Sequence, residues 1–153
     1  MMRRILRGAA AGAAGTTALH AVTYADMALR GRPPSRTPEE SVEKIARMLG
    51  ADLPGDAGAR ENRLQGLGAL AGMATGVLVG AAYGAVEGLV RRQQPALRGV
   101  LVGTAALVGA NAPMAVLGIS DPRSWSAADW VSDLVPHVAY GLVTALTYDA
   151  ASS

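Results

Sequence analysis

The segment GALAGMATGVLVGAAYGAVEG, residues 68–88, places Gly68, Gly72, Gly76, Gly80, Gly84 and Gly88 at an unbroken spacing of four. In water each glycine in a helix interior costs about 1 kcal/mol relative to alanine, so a soluble helix of this length would be heavily handicapped. In a bilayer the comparison changes. Backbone amides must there be satisfied within the segment, so helix is favoured whatever the aqueous propensity. Small residues four apart let neighbouring helices approach closely, gaining dispersion contacts where lipid supplies no hydrophobic driving force. Four residues turn about 400°, so the row drifts about 40° per step around the helix and can serve more than one neighbour.

The rest of the chain agrees with such an environment. Its 153 residues suit a single domain, 1–153, and half of them are hydrophobic, with alanine, leucine, valine and 19 glycines in place of phenylalanine, which is absent. Four stretches are long and poor in charge: Gly8 to Leu29, Leu64 to Val90, Gly99 to Ile119 and Trp130 to Ala151. Each is near the roughly 20 residues needed to cross a hydrocarbon core of about 30 Å. The expectation is an all-α integral membrane protein, a four-transmembrane-helix bundle. Gly8, Gly12 and Gly15 in the first span and Gly99 and Gly103 in the third offer small faces that match the glycine row. The opening MMRRILR, with alanines and LHA behind it, also fits the start of a secretory signal. Its apolar part is mostly alanine, glycine and threonine and runs through His20 to Leu29 without a stop, which points to a retained helix.

One long polar segment, 30–63, joins the first two spans. Within it the pattern predicts a short amphipathic helix over 38–49: Thr37 is placed to cap, Pro38 to start, Glu40 to complete a capping box and Gly50 to stop it. Val42, Ile45, Ala46 and Leu49 would then share one apolar face directed at the membrane surface or the bundle.

Basic residues nearly balance across the membrane, six on the side of the termini against eight on the other. Arg3, Arg4 and Arg7 immediately precede the first span with few acids to offset them, so the termini are expected to be cytoplasmic. Formal net charge is only +2, without a dense basic run interleaved with aromatics, and gives no support to nucleic-acid binding. With no cysteine, thiolate catalysis, disulfides and cysteine metal sites are excluded.

Ionisable residues within spans are expensive and suggest a task. Asp26, Glu87 and Asp149 fall near helix ends, where snorkelling or interfacial pairing accounts for them. Asp133 and His137 stand four apart, on one helix face, where the carboxylate can accept from the imidazole and fix its tautomer. Asn111, beside the helix-breaking Pro113, supplies a polar group that could line a small cavity with them. His20, Asn111, Asp133 and His137 are therefore the candidate polar or proton-handling site. Two histidines outside HExxH spacing make weak metal ligands, so no metal or other cofactor is expected. No nucleophile elbow or phosphate-binding loop is present, and no enzymatic activity is expected.

The segment 110–141, ANAPMAVLGISDPRSWSAADWVSDLVPHVAYG, resembles the YagU-like family of small bacterial inner-membrane proteins. The resemblance is carried by Pro113, Met114, Gly118, Ile119, Ser120, Trp130, Ser132, Asp133 and His137, and covers about a third of the chain. It implies a multi-pass inner-membrane topology rather than an activity. The functional expectation is a non-enzymatic packing, accessory or self-associating membrane protein, with the lipid bilayer and a homo-oligomer or larger membrane complex as partners. The alternative is a small proton- or solute-conducting transporter or channel using Asp133 and His137.

Overall fold

The computed structural model describes residues 1–152 and is all-helical, with five α-helices. They are α1 (Met2–Arg30), α2 (Thr37–Met48), α3 (Ala57–Val90), α4 (Pro95–Val116) and α5 (Ala127–Ala150), with a single 3-10 turn over Pro122–Ser124.

All four long helices start before their apolar runs begin, α3 and α5 for reasons of capping rather than hydropathy. The polar residues 57–63 form the first turns of α3 because Asp56 accepts a hydrogen bond from the Ala59 amide at 2.8 Å. At the start of α5, Ser126 and Asp129 form a reciprocal capping box. Arg3, Arg4 and Arg7 belong to α1 itself. At α2 the expected box does not form. Arg36 occupies the N-cap, and the Thr37 hydroxyl lies 2.8 Å from that of Ser35. Gly50, with φ 64°, follows the end of α2 and takes the left-handed conformation that a side chain would oppose.

The long helices run alternately up and down. α1 packs along both α3 and α5, α5 packs along both α1 and α4, and α3 meets α4 less extensively. Glycine sets the closest of these approaches. A Cβ on Gly8, Gly12 or Gly80 would stand under 3.0 Å from backbone of the facing helix, and the same holds where Gly103 of α4 meets α5. The row on α3 is divided among neighbours. Gly68 lies under Pro38 of α2, Gly72 faces open space, Gly76, Gly80 and Gly84 face α1, and Gly88 lies beneath the Arg4 side chain.

The core is small and consists of Ala11, Leu64, Val102, Ala106, Ala145 and the tyrosines Tyr83, Tyr140 and Tyr148. Larger aliphatic residues point outward instead: Leu78, Leu89, Val108 and Leu146 are all more than half exposed. Two helices, α3 and α4, are long and apolar enough to cross a bilayer, rather than the four expected. Small residues dilute α1, while Asp133, His137 and Asp149 lower the average of α5. α2 packs on α3, leaving Ile45, Met48 and Leu49 exposed.

Candidate polar site between α1, α4 and α5

Antiparallel packing of α4 and α5 brings Asn111 opposite Asp133, and the side chains meet: Asn111 Nδ2 donates to Asp133 Oδ2 at 2.6 Å. One turn on, His137 Nδ1 lies 2.7 Å from the Asp133 backbone carbonyl and 3.5 Å from the Asp133 carboxylate. A carbonyl oxygen only accepts, so Nδ1 must carry the proton. The neutral ring therefore keeps its lone pair on Nε2, which has no hydrogen-bond partner among the described residues. Pro136 lacks an amide proton and leaves the Ser132 carbonyl without its helical donor beside this cluster.

These three residues line a cavity of about 670 Å³ bounded by α1, α4 and α5, with residues 32–38 across its mouth. Leu19 and Met114 supply apolar wall, and Trp125 is fixed at the rim by its indole N–H, which donates to the Ser120 hydroxyl at 3.0 Å. Trp125 and Trp130 stack edge to face at 5.1 Å. Charge gathers at the same rim. Asp26 accepts from Arg32 at 2.5 Å and lies 3.6 Å from Arg30, whose guanidinium also donates to Ser132 at 3.1 Å. Short chain separation explains Asp26–Arg30; the tie to Ser132, 102 positions away, had no sequence signal.

Below His137, α5 presents Tyr140 and Thr144, both fully buried, and the Tyr140 hydroxyl donates to the Gly76 carbonyl at 2.6 Å. His20 stays apart from the cluster: it stacks on Tyr24 with ring centroids 5.8 Å apart and does not line the cavity. The structure thus does not bring His20 together with Asp133 and His137. Among the described residues no three histidine, aspartate or glutamate side chains are grouped to hold a metal ion.

A second polar cluster, at the opposite end of the bundle, was missed. Arg98, only 5% exposed, makes a bidentate pair with Asp149 at 2.7 and 2.6 Å and donates to the Tyr83 hydroxyl at 3.3 Å. Asp149 lies near the helix end, as the sequence indicates, and the fold gives it a partner 51 residues away. The available sign was the arginine itself, immediately before the apolar run of α4.

The DUF6789 family, a family of unknown function, is matched over residues 2–153. This chain belongs to it. The match takes in both clusters of the DUF6789 fold, including the loop that carries α2. No curated protein and no solved structure matches the chain.

Proposed function

We propose that this DUF6789 protein is a small, non-enzymatic, multi-pass membrane protein whose four long helices all cross the bilayer, and which serves as an accessory or self-associating component of a larger membrane assembly. The observation that carries this reading is the inversion of side-chain size. Glycine, alanine and tyrosine fill the contacts between helices, while leucine and valine stand on the outside of α3, α4 and α5. In water so much contiguous apolar surface would aggregate; in lipid it is the solvated face. α1 and α5, less apolar on average, are then spans sheltered by their neighbours. The exposed Ile45 and Met48 of α2, with Leu49 directly after it, suit contact with the interfacial layer. An inner-membrane location with cytoplasmic termini, and a distant relation to the YagU-like proteins, belong to the same proposal.

The polar cavity is lined by Leu19, Pro136 and His137 but not by Tyr140 or Thr144, which follow on α5 and are fully buried. His137 Nε2 has no hydrogen-bond partner among the described residues. The second reading, conduction of protons or a small solute, is favoured by that same unpartnered nitrogen facing a cavity beside Asp133. A proteoliposome flux assay separates the two. The accessory reading expects no flux, with His137→Ala and Asp133→Asn leaving assembly intact; flux lost in those variants would establish conduction.

A further inference from the structure

We propose that the end of the bundle formed by the start of α1 and the α3–α4 turn is a binding surface for the phosphate headgroups of anionic phospholipids, with Arg3, Arg4, Arg7, Arg91 and Arg92 as its cationic groups. This rests on the membrane reading above and goes beyond it by assigning a lipid class to one end.

Totals of basic residues conceal a difference in how they are used. At the loop end Arg30, Arg32, Arg36, Arg47, Arg60 and Arg123 are each paired with a carboxylate. Ten of the twelve acidic residues lie toward that end; only Glu87 and Asp149 lie toward the other. Asp149 there pairs with the buried Arg98. Arg63, also at the loop end, is exposed and donates to the Pro54 carbonyl instead, and the five arginines of the opposite end are exposed with none paired with a carboxylate among the described residues. Packing joins them into one surface: the Arg4 guanidinium crosses α3 at Gly88, 3.2 Å from where a Cβ there would stand, and Arg91 follows less than a turn later.

Apolar side chains alternate with these cations. Met1, Met2, Leu6, Leu89 and Leu97 are all exposed at the same end. Cations with interleaved aliphatic residues match a layer in which phosphates overlie acyl chains. Guanidinium forks bind phosphate oxygens bidentately, which favours lipid phosphate over a diffuse counterion cloud. The first turns of α1 and α4, both free of acidic residues, add a field of the same sign. Anionic headgroups on this side place it at the cytoplasmic leaflet.

The full-length protein is reconstituted into phosphatidylcholine vesicles containing trace spin-labelled phosphatidylglycerol or spin-labelled phosphatidylcholine, and the motionally restricted fraction is measured. A preference of several-fold for phosphatidylglycerol is expected, since each arginine near a charged surface is worth roughly five-fold before salt screening. The variant R3Q/R4Q/R7Q/R91Q/R92Q should lose it, and R36Q/R47Q/R123Q should retain it. Equal association of the two lipids, or a preference unchanged in the five-fold variant, overturns the proposal while leaving the membrane reading standing. Displacement of the labelled lipid by inorganic phosphate also overturns it, because the site would then be one for free anions. Failure of the protein to float with any vesicle removes the membrane reading and this inference together.

Discussion

Gly80 of α3 and Gly12 of α1 meet so closely that a Cβ on Gly80 would stand 2.5 Å from the Gly12 Cα. The partner atoms are backbone, which cannot rotate away. Gly80→Ala should therefore part the two helices and destabilise the fold by about 1–3 kcal/mol, the usual cost of overpacking. Gly72, with nothing within 4 Å, is the internal control. Gly72→Ala should be neutral, or stabilising by up to about 1 kcal/mol through helix propensity. Thermal unfolding of the two variants in one detergent checks the contrast, and equal behaviour would remove α1–α3 packing as the role of the glycine row.

That contrast shows what kind of information the chain made legible. Spacing of four announced close packing, because small residues act through periodicity. It left unstated which glycines face which helix, since the row drifts around α3 and three different surroundings receive it. Asn111, Asp133 and His137 were legible as one group for a similar reason: Asp133 and His137 share a face by spacing, and Asn111 stood out as polar in an apolar run. Arg98–Asp149 and Arg30–Ser132 were not, because pairs across antiparallel helices depend on register, which no local pattern records. Helix starts were misplaced wherever a cap, such as Asp56 or Ser126, extended a helix into polar sequence.

Arg98 is buried and its carboxylate partner is partly exposed, so removing the carboxylate is costlier than removing the pair. Asp149→Ala leaves a guanidinium in the bundle with Tyr83 as its remaining partner and should cost about 1–3 kcal/mol, below the range for fully buried pairs because Asp149 reaches solvent. Arg98→Met combined with Asp149→Ala should recover part of that loss. Chemical denaturation of the single and double variants reads the difference; a double variant no more stable than Asp149→Ala would contradict it.

The imidazole of His137 has its tautomer set by the Asp133 backbone carbonyl, which fixes the proton on Nδ1. Nitrogen-15 spectra of the neutral ring should show a protonated Nδ1 and an unprotonated Nε2. Asp133→Asn keeps that carbonyl and should leave the tautomer unchanged, while weakening the link to Asn111. Observation of the Nε2–H form would mean that the lone pair points into the helix and not toward the cavity.

Glu43 links α2 to α3. Its carboxylate accepts from Arg60 at 2.6 Å and lies 3.4 Å from Arg47. The Arg60 hydrogen bond, ahead of the nearby arginine charges, holds its pKa below the ordinary value of 4.5. A depressed carboxylate pKa stabilises the docked form fully above the unfolded value, and that contribution disappears as pH falls through the folded value. α2 should thus loosen from α3 on acidification below about pH 4.5, seen as faster amide hydrogen exchange over residues 37–48 relative to α3. Glu43→Gln should exchange faster at neutral pH and lose most of the pH dependence. If both proteins exchange alike at every pH, α2 is held by other contacts, such as Pro38 on Gly68, and the Glu43 ion pair contributes nothing to docking.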